Sequence, residues 1–288
     1  MAYQKILTIQ DISCVGQCSL TVALPILSAC GIETCILPSA VLSNHTAGFS
    51  GFTFRDLTDD IPNIRARWET EGIQFQAVYT GYFGSTKHIA CVQEIFDTML
   101  TEKGARIVDP AMADNGKLYP PFDMAYAEAM KGLCFGADII LPNITEACLL
   151  TNTPYREVYD RAFIDELLAK MAAAGAKTVI LTGVGYAEGQ TGVVVYEKGS
   201  YTYYEHQKIA KNCHGTGDVY ASAFVGAYLN GKTAYEAAKI AADYTVKCIE
   251  NTQDDPAHWY GVKFETALGD LMKALPVDNI DCSISTEK

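Results

Sequence analysis

The chain has 288 residues, 49% hydrophobic and 19% charged, with a formal net charge of -12. This mixture can bury a sizeable core and lacks the composition of a disordered chain. An acidic surface without a run of Lys and Arg argues against nucleic acid as a partner, so an anionic substrate calls for a divalent cation and backbone N–H groups.

Nothing in the chain marks a membrane span, since no stretch reaches the roughly 18 apolar residues required, and Met1 to Gln10 lacks the apolar region of a secretory signal. The ten cysteines are scattered, and the Cys14/Cys18 pair has neither a second pair nor His at zinc spacing. Reduced thiols and a cytoplasmic location are expected. The expected organisation is one domain over residues 1–288, with 279–288 as a loose polar tail.

In chain order, short apolar runs alternate with longer amphipathic stretches, the pattern of parallel strands joined by helices. Strands are expected at Lys5 to Ile9, Thr34 to Leu37, Ala77 to Thr80, Arg106 to Asp109, Ile139 to Pro142 and Thr178 to Thr182. Helices are expected near Ser19 to Cys30, with Pro25 inside, then Thr86 to Thr101, Tyr119 to Lys131, Asn143 to Leu150 and Asp160 to Ala174. Gly192 to Glu197 and Ser200 to Glu205 read as a hairpin turning at Lys198-Gly199, which adds an antiparallel edge. Two helices follow, Thr216 to Leu229 and Thr233 to Glu250, separated at Asn230-Gly231. In an open parallel sheet ligands bind beyond the carboxyl ends of the strands, here Gln10-Asp11, Gly81-Tyr82, Asp109-Pro110, Asn143 and Thr182-Gly183.

The segment Gly215-Thr216-Gly217-Asp218 opens a small-residue helix, which puts Asp218 in the first turn. Its glycines admit close backbone approach, and the free N–H groups of a helix start suit a phosphate. Phosphoryl transfer to an alcohol needs a proton acceptor and donors for the transferring group, which Asp218 and the amides of 215–217 can supply. The plainer alternative is that Asp218 only complements the helix start and the glycines only turn the chain. Other phosphate motifs fail: G-x-x-x-x-G-K-[ST] is absent, and Gly183-Val184-Gly185 leads into a strand. Gly48-Phe49-Ser50 is no hydrolase elbow, because Phe52 stands where that motif needs glycine.

Six segments in order carry a resemblance across most of the chain: Ile9-Gln10 with Gly16, Ser43-Asn44-His45-Thr46, Thr80-Gly81-Tyr82, Asp109-Pro110, Pro142-Asn143 with Glu146, and Gly215-Thr216-Gly217-Asp218. Together they make the chain similar to the pyridoxal kinases of the ribokinase-like superfamily. The resemblance implies a three-layer α/β/α fold around a mostly parallel sheet, and ATP-dependent phosphorylation of the 5′-hydroxyl of a vitamin B6 vitamer. It implies Asp218 as the base and Gly215, Thr216 and Gly217 as an anion hole. Asp109, Asn143, Glu146 and Thr182 would lie around Mg2+ and the ATP phosphates, with Glu146 acting on the metal through water. Asn143 and Glu146 also fit a helix N-cap and its capping-box partner.

By the same resemblance Thr46 and Tyr82 contact the pyridine ring, and a flap spans Asp114 to Tyr119, where Asn115-Gly116 suits a turn. A homodimer and a monovalent cation are further implications. Asp11 departs from the serine common in this family. A carboxylate there can accept from a protonated ring nitrogen or pair with the aminomethyl group of pyridoxamine. Cys213 reads as a packing residue or as a thiol activated at a helix start. The rival readings are a hydroxymethylpyrimidine kinase of the same fold and a non-catalytic vitamer-binding protein.

Overall fold

The computed structural model describes residues 3–210 and 213–275; the expected tail at 279–288 lies outside them. The chain runs β1 (Lys5–Ser13), α1 (Leu20–Ala29), β2 (Glu33–Leu42), β3 (Phe54–Asp56), α2 (Ile61–Thr70), β4 (Phe75–Thr80), α3 (Thr86–Thr98) and β5 (Leu100–Val108). A small hairpin, β6 (Ala113–Asp114) and β7 (Lys117–Leu118), precedes α4 (Met124–Phe135), β8 (Ile139–Ile140), α5 (Ile144–Leu150), α6 (Arg161–Ala173) and β9 (Thr178–Thr182). Then come β10 (Gln190–Glu197), β11 (Ser200–Gln207), α7 (Thr216–Leu229), α8 (Ala234–Gln253) and, after a 3-10 turn at Phe264–Ala267, α9 (Leu268–Ala274).

One sheet has the order β11-β10-β9-β8-β5-β4-β1-β2-β3. From β2 through β9 the neighbours are parallel, and β10 and β11 add the expected antiparallel edge. Strand periodicity sorts side chains between two cores. Ile6, Ala77, Tyr79, Ile107, Ile139 and Ile180 pack with α1, α7, α8 and α9, whereas Leu7, Val78, Val108, Ile140 and Leu181 pack with α2 to α6. The result is the three-layer α/β/α arrangement. Among the described residues no helix is long and apolar enough to cross a membrane.

Several boundaries differ from the expectation. The opposite sheet edge is also antiparallel, because β3 pairs with β2; its residues Phe54, Arg55 and Asp56 are all exposed and carry no alternation to reveal a strand. Helix α2 was equally hidden, since Ile61 is its sole fully buried residue. The helix expected from Tyr119 begins at Met124. Pro120 and Pro121 interrupt the approach, and Asp123 accepts the Tyr126 N–H at 2.9 Å as N-cap. Helix α3 stops at Thr98 because β5 already begins at Leu100.

Helices α1 and α7 approach at Gly226, where a Cβ would collide with the Cys30 side chain, whereas exposed Gly132 in α4 has open space around it. Gly226→Val is therefore expected to destabilise by roughly 1–3 kcal/mol through overpacking. Gly132→Ala should stabilise by about 0.5–1 kcal/mol through helix propensity. Urea denaturation of the two variants measures both, and equal midpoints would refute the close approach.

Candidate active site

The helix start built from the glycine segment is held from below. Gly215 is the N-cap of α7 with φ 75°, a left-handed conformation that glycine adopts without a Cβ penalty. Any Cβ there would also overlap the Gln17 carbonyl oxygen. The loop 14–19 after β1 is thus pressed against the start of α7. It is pinned on its other sides by His45 N–H donating to the Val15 carbonyl at 2.8 Å and by Gln17 N–H donating to the Tyr260 carbonyl at 3.3 Å. Gly217, by contrast, has nothing within 4 Å of its would-be Cβ. Gly217 is exposed, so the first turn of α7 is open on that side.

Asp218 stands at this opening in the first turn of α7. Burial of its carboxyl raises the pKa to about 7, the Ser19 N–H opposes the rise, and the charge on Asp11 adds to it. Asp11 is 3% exposed, and its own pKa is raised by burial against hydroxyl donors on Ser19 and Ser13; the Ser13 bond measures 2.9 Å. Ser19 therefore acts on both carboxylates, its amide lowering the pKa of Asp218 and its hydroxyl that of Asp11. It does so at φ 51° and ψ -134°, a strained conformation for a residue with a side chain.

Asp109 and Glu146 form a second acidic centre. Asp109 follows β5, donates its N–H to the Thr80 carbonyl at 3.0 Å and accepts the Ala111 N–H at 3.1 Å. Burial, then the charges of Glu146 and Asp218, push its pKa well up. Glu146 is also raised by burial, against three backbone donors. Its Oε1 accepts from Met112 at 2.9 Å and Ala113 at 3.4 Å, and its Oε2 accepts from Asn143 at 2.9 Å. With the Asn143 side chain accepting the Glu146 N–H, a capping box starts α5. Asn143 Nδ2 also donates to the Ala113 carbonyl at 2.8 Å. The pair thus caps a helix and, in the same contacts, fastens the root of the β6–β7 hairpin.

That hairpin is the segment expected as a flap. Asn115 and Gly116 at its tip have φ 49° and 76°, the signature of a tight two-residue turn. Asp114 is exposed, and Tyr119 returns to the body, donating its N–H to the Met112 carbonyl at 2.9 Å. Burial and then Glu146, Asp114, Asp109 and Asp218 raise the Tyr119 phenol, so its ring belongs to the acidic centre. Phe122 stacks on Tyr126 at 3.8 Å and lies 5.4 Å from the Tyr82 ring. Tyr82 in turn has its phenol pushed up to about 12, first by burial and then by Asp11.

Thr182 ends β9 and bridges to Asn143, with its N–H donating to the Pro142 carbonyl at 2.9 Å. The structure brings Asp11, Tyr82, Asp109, Tyr119, Asn143, Glu146, Thr182 and Asp218 to one end of the sheet. Thr46 is an exposed loop residue next to His45. Cys213 is partly buried against the hydrophobic core, in keeping with a packing role. Ser19 and Phe122 were missed from sequence. The signal for Ser19 was weak, because an ordinary N-cap serine gives no hint of a left-handed φ. The His45 and His214 rings, 5.8 Å apart beside the glycine segment, were equally unforeseen as neighbours.

The donor set suits a divalent cation. The carboxylates of Asp109 and Glu146 offer hard oxygen donors, buried and raised in pKa, that a nearby positive charge would relieve. Among the described residues no group of three or more His, Cys, Asp or Glu forms a closed metal cage.

A family model described as phosphomethylpyrimidine kinase matches residues 25–261. A candidate phosphomethylpyrimidine kinase from Bacteroides thetaiotaomicron superposes with TM-score 0.90 at 34% identity, covering 94% of each chain. Its orthorhombic form, solved with pyridoxal, gives TM-score 0.88 over 93% of this chain and 96% of that one, again at 34% identity. Pyridoxal kinase from Lactobacillus plantarum gives TM-score 0.85 at 31% identity over 94% and 96%. The hydroxymethylpyrimidine/phosphomethylpyrimidine kinase of Aquifex aeolicus is 32% identical over 118 residues, 40% of this chain and 45% of that protein. With the family model spanning most of the sequence and the fold shared end to end, the chain belongs to the phosphomethylpyrimidine kinase family and is an ATP-dependent small-molecule kinase.

Proposed function

We propose that the chain transfers the γ-phosphoryl group of ATP to the 5′-hydroxyl of a vitamin B6 vitamer, pyridoxal, pyridoxamine or pyridoxine. The observation that carries the reading is Asp218 at the open start of α7, with a desolvated carboxyl and the accessible Gly217 backbone beside it. In the reaction the vitamer hydroxyl oxygen attacks the γ-phosphorus and forms the new P–O bond. The bond to the β,γ-bridging oxygen breaks, ADP leaves with that electron pair, and the hydroxyl proton passes to the Asp218 carboxylate. The amides of 215–217 stabilise charge on the transferring group.

Asp109, Asn143, Glu146 and Thr182 serve the phosphate side of the site. A divalent cation bound there supplies neutralisation of phosphate charge. Tyr82 offers the substrate ring an apolar face, and the β6–β7 hairpin covers the reacting groups and limits water. The pyridine reading draws support from the pyridoxal-containing form of the Bacteroides thetaiotaomicron relative. The pyrimidine alternative draws support from the family description and the Aquifex aeolicus relative. A non-catalytic role fits poorly with Asp218, Asn143 and Glu146 standing together.

ADP release measured with pyridoxal, pyridoxamine, pyridoxine and hydroxymethylpyrimidine separates these readings. The B6 vitamers are expected to give kcat/KM at least about tenfold higher than the pyrimidine, a difference of roughly 1.4 kcal/mol. The reverse order would assign the site to hydroxymethylpyrimidine, and binding of a vitamer without ADP release would leave only a binding protein. Asp218→Asn should lower kcat by roughly 10²–10⁴-fold while ATP affinity stays near normal.

The Asp218 carboxyl must be ionised to accept a proton, and its pKa is raised to about 7. Wild-type kcat/KM should therefore rise with pH up to about 7 and level off above it. A profile flat down to about pH 5, as for a carboxylate near its ordinary value, would refute that assignment. Glu146→Ala frees Met112, Ala113 and the α5 cap together. We expect faster amide exchange at 112–116 and a raised KM, whereas unchanged exchange there would show that the hairpin is held by other contacts.

A further inference from the structure

Asp11 is a buried carboxylate whose donors are neutral. The Ser13 hydroxyl donates to it at 2.9 Å, and the Ser19 hydroxyl also lowers its pKa. Among the described residues no Lys, Arg or His pairs with it; the ion pairs of the molecule lie elsewhere. A carboxylate 3% exposed without a cation is costly unless a ligand brings one.

Local backbone and neighbours fix where that ligand would sit. Asp11 lies at an irregularity in the β1–β2 ladder, where Gln10 pairs with Pro38 but Ile12 pairs with Val41. Such bulges re-aim side chains and cluster at active sites. Its charge acts on Asp218 and on the Tyr82 phenol. Asp11 is therefore close to both groups that the phosphoryl-transfer reading assigns to the substrate, the base and the ring contact.

We propose that Asp11 is the specificity residue of this site and selects a vitamer carrying a primary ammonium group, so that pyridoxamine is preferred over pyridoxal and pyridoxine. The three vitamers share the ring and the reacting hydroxymethyl group and differ in one substituent: aminomethyl, aldehyde or hydroxymethyl. The ammonium forms a charge-assisted hydrogen bond with Asp11, while Ser13 and Ser19 keep the carboxylate oriented. The aldehyde and the alcohol bring no charge and leave Asp11 without a cation. The inference rests on the kinase reading above, because the hydroxymethyl group must face Asp218.

The test compares wild type with Asp11→Ser and with the near-isosteric Asp11→Asn, which keeps the side-chain volume. Steady-state kcat/KM is measured for the three vitamers, and pyridoxamine and pyridoxal affinities are measured calorimetrically without nucleotide. Wild type should favour pyridoxamine, and both variants should lose at least about tenfold in the pyridoxamine-to-pyridoxal ratio, as expected for a charge-assisted bond. Turnover of pyridoxal should change far less. An unchanged ratio, or a proportional loss with all three vitamers such as a ring-nitrogen contact would give, overturns the proposal. The calorimetric arm separates it from the kinase reading: Asp11-dependent pyridoxamine binding without ADP release from wild type would sink the latter alone.

Discussion

The start of α7 rests on the carbonyl of Gln17, and its first-turn aspartate receives the amide of Ser19. Loop 14–19 thus sets both the height and the direction of the phosphate-facing helix end. Everything chemical at this end of the sheet follows from that junction. If the loop shifts, Gly215 loses its seat, Asp218 loses its donor, and Asp11 loses the Ser19 hydroxyl in the same movement. The strain at Ser19 accompanies its action on both Asp11 and Asp218, and backbone strain persists where the surroundings hold it in place.

The acidic character of the chain acquires a local meaning here. Asp11, Asp109, Glu146 and Asp218 gather at strand ends and helix starts, all with pKa values raised by burial. Such a cluster is unfavourable by itself and becomes favourable when cations enter. Among the described residues no lysine or arginine forms an ion pair with any of these four carboxylates. The free backbone N–H groups at the start of α7 have the opposite preference, since a helix N-terminus favours negative charge.

The alternation of strands and helices was legible because Leu7, Val78, Val108 and Ile140 obey a period that burial on two sheet faces enforces. Asn143-x-x-Glu146 and Gly215 to Asp218 were legible as local motifs, since capping and helix-start chemistry depend on neighbours in the chain. Segments such as β3 and α2 were not, because exposed residues bear little pattern. Nor was Ser19, whose role comes from groups at positions 11 and 218 that meet it in space alone. The helix expected from Tyr119 starts later because Pro120 and Pro121 break the approach and Asp123 caps the start, while Tyr119 belongs to the hairpin's return.

Glu146 links two regions through the limited number of lone pairs on one carboxylate. Its oxygens already accept from Met112, Ala113 and Asn143. Whatever draws electron density toward the phosphate side must weaken its hold on those amides, and α5, only seven residues long, has little helix to absorb the change. A disturbance at either end of those bonds, at the root of the hairpin or at the cap of α5, is therefore felt at the other.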